Sequence, residues 1–159
     1  MGGGSGSISV EAARLCPDLD IYTIEQKEEG QENIRANIVR HNLYNIHLIC
    51  GQAPAGLEDL PDPDRIFIGG SSGLLAEIIH PCAERLHRYG KMVASAVLAR
   101  TAEQAPRLMA RNGLTVDIRT VAVSRDSPDA EQEKTVLNPI TIISGSKEKS
   151  QNNSRYHAE

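Results

Sequence analysis

The sequence predicts an α/β fold: a doubly wound, mostly parallel sheet with helices on both faces, a C-terminal antiparallel hairpin, and no first strand. Three observations carry this. Short β-rich runs alternate with helical periodicity from Ile21 to Asn112. Two further strand-like runs, Leu114–Ser124 and Ile140–Ile143, follow with no helix between them, which makes them a hairpin. The chain opens on Met1-Gly2-Gly3-Gly4-Ser5-Gly6-Ser7, a glycine turn of the kind that joins a buried strand to a helix, and no strand stands before it. An internal methionine taken as the start, or a shortened gene, would account for that. An engineered Gly/Ser linker is the plain alternative.

The elements follow in order. Ser7 to Leu15 reads as a helix, with Ser7 as N-cap and Ile8, Ala12 and Leu15 on one face. After the turn at Cys16–Asp20, Ile21–Ile24 is a buried strand ending at Glu25. Gln31–Asn42 is helical, with Ile34 and Ile38 one turn apart. Ile46–Cys50 is the next strand, and the Pro-rich connection after it has room for a short helix near Gly56–Leu60. Arg65–Ile68 is a strand closed by Gly69-Gly70-Ser71-Ser72-Gly73. Leu74–Tyr89 is a helix with Pro81 inside it and Gly90 as its stop. A strand at Lys91–Val97 and a helix at Thr101–Asn112 complete the alternation. Asp126–Lys134 reads as a polar loop, and the 146–159 stretch as a disordered tail behind one domain over residues 1–145.

Composition excludes several classes. A net charge of −4 with one Phe, four Tyr and no Trp offers neither a basic stripe nor stacking rings for nucleic acid. No apolar run approaches the roughly 20 residues of a membrane span, so no membrane partner is expected and the default compartment is the cytoplasm. Cys16, Cys50 and Cys82 form no C-x-x-C pair, and the five histidines show no ligand spacing, so no metal site is expected. All three cysteines read as reduced, mostly buried thiols.

The candidate site is the glycine turn together with an acid at a strand end. A dinucleotide pattern G-x-G-x-x-G starting at Gly2 requires glycine where Ser7 stands. Gly2, Gly4 and Gly6 instead give G-x-G-x-G, a spacing that resembles that of the S-adenosylmethionine-dependent methyltransferases of the Rossmann-like class. Glu25, at the end of its strand, is placed to accept two ribose hydroxyls; its bland alternative is a solvated acid beside Lys27, Glu28 and Glu29.

The resemblance narrows further. Gly4-Ser5-Gly6-Ser7-Ile8-Ser9-Val10-Glu11-Ala12-Ala13, Glu32-Asn33-Ile34-Arg35-Ala36-Asn37, Ala53-Pro54-Ala55-Gly56-Leu57 and Pro63-Asp64-Arg65-Ile66-Phe67-Ile68-Gly69-Gly70-Ser71 resemble motifs of the decarboxylating precorrin C15-methyltransferases of cobalamin biosynthesis. So do Ala94-Ser95-Ala96-Val97-Leu98 and Leu137-Asn138-Pro139. The resemblance implies S-adenosylmethionine as cofactor and a precorrin or cobalt-precorrin as methyl acceptor. It places Gly2, Gly4 and Gly6 along the methionine part, Glu25 on the ribose, and Gln52 and Ala53 beside the adenine. Gly69, Gly70 and Ser71 would border the methyl group and the macrocycle, with Arg100 and Arg125 as candidate partners of the substrate carboxylates. It also implies a homo-tetramer and a companion C5-methyltransferase, fused or separate.

The chain departs from that pattern in three places. The opening strand and its terminal acid are absent, Gln52 stands where Asp is expected, and the Asp126–Lys134 loop lacks the usual glycines. A missing central strand leaves a slot about 9–10 Å wide, two strand spacings. Each unpaired buried backbone group costs about 1–3 kcal/mol, against a typical total stability of about 5–15 kcal/mol. The chain alone is therefore expected to be poorly stable or inactive unless the sheet closes or another chain supplies a strand. Two alternatives stay open: another small-molecule methyltransferase of the same fold, and a non-catalytic remnant that keeps the fold.

Overall fold

The computed structural model describes residues 1–125 and 135–148. Helix α1 (Ser7–Leu15) leads into strand β1 (Ile21–Glu25), helix α2 (Glu28–His41) and strand β2 (Ile46–Cys50). Strand β3 (Arg65–Ile68), helix α3 (Leu75–Arg85), strand β4 (Lys91–Ala96) and helix α4 (Ala99–Arg111) follow. Strand β5 (Thr115–Val121), two short strands β6 (Ser124–Arg125) and β7 (Thr135–Val136), and strand β8 (Ile140–Ser146) complete the order. The β1–β2 and β3–β4 pairs are parallel, as strands separated by crossovers must be. β8 runs antiparallel to both β4 and β5, giving the order β3-β4-β8-β5. The expected hairpin is thus present, with the last strand inserted between its two neighbours.

The β1–β2 pair and the four-stranded sheet approach each other at the N-terminus. The Met1 amino group donates to the Phe67 carbonyl at 2.8 Å, and the Met1 carbonyl accepts from the Gly69 N–H at 3.0 Å. The Gly3 N–H donates to the Ile24 carbonyl at 3.1 Å. Met1 to Gly3 therefore bridge the C-terminal ends of β1 and β3, and both sheets present those ends to one side.

Two apolar clusters support the fold. The larger gathers Ile24, Ile66 and Ile68 of the strands with Leu75, Ile78, Ile79 and Leu86 from α3 and its C-cap, and Met92, Met109 and Ile143. The smaller joins Val10 and Ala13 of α1 to Ile46. Along α3 and its flanks, Leu75, Ile78, Ile79, Cys82 and Leu86 lie in the larger cluster and Leu74 packs against it.

Several expectations are corrected. The α1 helix buries Val10 and Ala13, whereas Ile8 and Leu15 are exposed. An apolar residue stands on either side of this short helix, and the β1–β2 pair takes the smaller pair. Its N-cap is Gly6 in the left-handed region, not Ser7, and no side-chain cap bond forms. The Gly56–Leu60 stretch forms turns and no helix. α3 ends at Arg85, well before Tyr89. The strand read as Leu114–Ser124 divides, because β5 leaves β8 at Val121 and Ser124–Arg125 pairs with Thr135–Val136 instead. Cys82 is buried, but Cys16 and Cys50 are exposed. β8 continues through Ser146, so the tail does not begin there: the Lys147 ammonium donates to the Ala83, Glu84 and Leu86 carbonyls at 2.8, 2.9 and 2.8 Å. The Asp126–Lys134 loop and the tail beyond residue 148 lie outside the described residues.

Candidate active site

Strand ends build the site. β1 delivers Glu25 as its last residue, and the chain turns at once into α2. The Glu25 side chain is only 6% exposed, yet both its oxygens are engaged. Oε2 accepts the Gly4 N–H at 2.7 Å and Oε1 accepts the Lys27 N–H at 2.8 Å. A carboxylate has about four acceptor positions, so this one grips the glycine turn and its own loop and still has acceptor capacity. The Glu25 carbonyl accepts from the Gly51 N–H at 3.0 Å, which ties the end of β2 to the same place.

The glycines have separate physical reasons. Gly2 has φ 64°, and a Cβ there would lie 2.7 Å from the Gly70 nitrogen, so the first turn and the loop after β3 can touch only through glycine. Gly4 has φ 54° with nothing within 4 Å of a would-be Cβ; its open side faces a cleft.

That cleft, of about 270 Å³, lies at the C-terminal edge of the strands. It brings together seven of the residues singled out in the sequence: Gly2, Gly4, Glu25, Gln52, Ala53, Gly70 and Ser71. Gly6 is not in its lining and caps α1 instead. Gly69 is likewise outside it and donates to the Met1 carbonyl. Arg100 is exposed in the first turn of α4, also outside the lining. The Arg125 backbone belongs to β6.

Sequence reasoning missed Gln26, Lys27 and Ser72, which share the lining. Gln26 Nε2 donates to Ser72 Oγ at 2.6 Å, joining the loop after β1 to the loop after β3 across the cleft. Ser72 holds φ 48°, in the region that favours glycine. The Ser71-Ser72-Gly73 run was the available signal, since a non-glycine residue in a glycine-rich loop at a strand end is a candidate contact. Ile78 of α3 closes the floor. One turn on, burial pushes the Cys82 thiol up to about 11, and burial also lowers the Met1 ammonium below its ordinary value. Among the described residues no cluster of His, Cys, Asp and Glu is arranged to hold a metal ion.

A buried carboxylate at a strand end, open backbone at a glycine turn, and a second glycine-rich loop opposite suit a ligand with a hydroxylated sugar and a flexible polar arm. Known proteins show which family the chain resembles. Residues 1–141 match the model of the precorrin methyltransferase domain. A probable cobalt-precorrin-6B C(15)-methyltransferase (decarboxylating) of Sulfolobus acidocaldarius is 32% identical over 150 residues, covering 92% of this chain and 78% of that protein. The crystal structure of precorrin-6y C5,15-methyltransferase from Geobacter metallireducens superimposes with a TM-score of 0.88 at 37% identity, covering 92% of this chain and 76% of that one. The structure of precorrin 8w decarboxylase from Methanobacterium thermoautotrophicum gives a TM-score of 0.83 at 28% identity, covering 91% and 78%.

Proposed function

The chain belongs to the precorrin methyltransferase family, and from that premise we propose that it methylates C15 of a precorrin macrocycle and removes an acetate carboxyl as carbon dioxide, in cobalamin biosynthesis. One observation carries the reading: the Glu25 carboxylate and the glycine turn are hydrogen-bonded to each other at the wall of one cleft that the loop after β3 closes from the far side.

S-adenosylmethionine supplies an activated sulfonium methyl group when bound, and the residues present fit it. Glu25 has acceptor capacity left for ribose hydroxyls. Gly2 and Gly4 leave backbone open for the methionine part, and Gln52 and Ala53 stand at the other end for the adenine. Gln52 in place of an acid makes the contact there neutral. Gly70 and Ser71 border the methyl position, where the chain's task is positioning rather than proton transfer. Gly6 and Gly69 serve by shaping the two loops. Arg100 and Arg125 are the proposed partners of the acceptor's carboxylates. The acceptor is a precorrin or cobalt-precorrin, and the loss of its carboxyl draws on the macrocycle as electron sink.

The same reading includes a cytoplasmic protein, a homo-tetramer and a companion C5-methyltransferase, fused or separate. No helix among the described residues is long and apolar enough to cross a membrane. Self-association is supported by Val121, Ile140 and Ile142, all exposed, of which Val121 and Ile140 are ladder partners. Light scattering on the purified chain tests the assembly.

Calorimetric titration with S-adenosylhomocysteine tests the cofactor site. Micromolar binding is expected, weakened about a hundredfold in Glu25→Ala, since hydrogen bonds to a charged acceptor contribute about 1.5–3 kcal/mol each. A folded sample that does not bind would reject the reading. Turnover with the decarboxylated product identified by mass tests the reaction itself.

A further inference from the structure

We propose that Asn37 is a positioning residue for the cofactor turn, acting through the Ser5 carbonyl; the inference rests on the methyltransferase reading. Helix α2 backs the site with one ridge of side chains. Gln31, Ile34 and Asn37 recur every third residue, so they neighbour one another along the helix surface. Gln31 Nε2 donates to the Glu25 carbonyl at 2.9 Å. Ile34, 1% exposed, fills the space where side chains at Gly3 and Gly6 would begin, its carbons 3.0 and 2.9 Å from those positions. Asn37 Nδ2 donates to the Ser5 carbonyl at 2.8 Å.

The third contact differs in what it restrains. Gln31 meets a strand that its ladder already holds, and Ile34 contributes packing. Ser5 is an exposed residue between Gly4 and Gly6, whose φ values are 54° and 80°. Peptide units beside glycine reorient at little steric cost. The Ser5–Gly6 peptide is held at both ends: its N–H donates to the Gly3 carbonyl at 2.8 Å, and its carbonyl accepts from Asn37. The Gly3–Gly4 peptide, two units earlier, is held by Glu25 through the Gly4 N–H. Asn37 thus restrains a peptide unit of the turn that the Glu25 carboxylate does not reach, and it keeps that carbonyl turned toward α2.

The test compares two asparagines of similar chemistry. Asn45 Nδ2 holds the Pro17 and Leu19 carbonyls at 3.3 and 2.9 Å, in a turn outside the cleft. Asn37→Ala is expected to weaken S-adenosylhomocysteine binding about three- to tenfold, the equivalent of one neutral hydrogen bond. Asn45→Ala is expected to bind as the parent does. In turnover, Asn37→Ala raises KM for S-adenosylmethionine and leaves kcat unchanged. Asn37→Asp, which keeps the shape and loses the donor, follows Asn37→Ala. Parent-like affinity in Asn37→Ala, or equal weakening in Asn45→Ala, overturns the inference while the cofactor site stands. A folded parent chain that binds no S-adenosylhomocysteine overturns the methyltransferase reading and this inference with it.

Discussion

Glu25 does two jobs with one carboxylate. It satisfies two backbone N–H groups of the loops around the cleft, and it has acceptor positions left over. Its place at a strand end was legible in the sequence, because the β-rich run Ile21–Ile24 stops at an acid just before helical periodicity begins. Its grip on Gly4 was not, since a contact across 21 positions has no local signature. Gln26 and Ser72 were illegible for the same reason: each is an ordinary polar loop residue until the fold sets them face to face. Cys82 shows burial acting on chemistry. Its thiol titrates at about 11 in the folded chain against an ordinary value of 9.0. The unfolded chain therefore releases this proton first, so the stability held below pH 9 falls as pH rises from 9 through about 11. Cys82→Ala is expected to flatten that part of a denaturation–pH series. At a pH of about 8, alkylation of the native protein should label exposed Cys16 and Cys50 and spare Cys82, read by peptide mass.

At the scale of elements, strands were easier to read than helix ends. Ile46–Cys50 and Arg65–Ile68 agree with the structure residue for residue, since each is a short apolar run between polar or Pro-rich neighbours. The end of α3 was misread because the periodicity runs on to Leu86, whereas the backbone there turns to an extended conformation. The reason lies in tertiary structure. Lys147, at the far end of β8, places its ammonium over the last carbonyls of α3, where a cation also complements the helix dipole. No local pattern distinguishes that lysine from the polar tail around it. Lys147→Ala is expected to destabilise the fold by about 1.5–3 kcal/mol, the contribution typical of a hydrogen bond to a charged group. Urea denaturation checks this, and S-adenosylhomocysteine affinity should stay at the parent value because Lys147 is outside the cleft lining.

For the molecule as a whole, the alternation of strands and helices made the fold class readable, and the terminal pair made its antiparallel part readable. Strand order was not, because hydrophobic pattern says which face is buried and not which neighbour lies alongside. The cleft draws on the segments after β1, β2 and β3 and on the N-terminal turn, so a ligand there ties together segments far apart in the chain. Saturating S-adenosylhomocysteine at about a hundred times its Kd stabilises the folded state by about 2.7 kcal/mol. For a chain of this size that corresponds to a rise of roughly 5–10 °C in Tm. A thermal melt with and without ligand reads it directly, and Glu25→Ala should lose most of the shift.

The place of β8 between β4 and β5 also has a meaning for synthesis. A ribosome delivers β5 well before it delivers Ile140–Ser146, and β5 has its ladder only with that later segment. Until then β4 lacks its partner on one side and α4 has half a sheet to lie on. The four-stranded sheet can therefore be completed only after Ile140–Ser146 has emerged, which makes its closure a late event in synthesis.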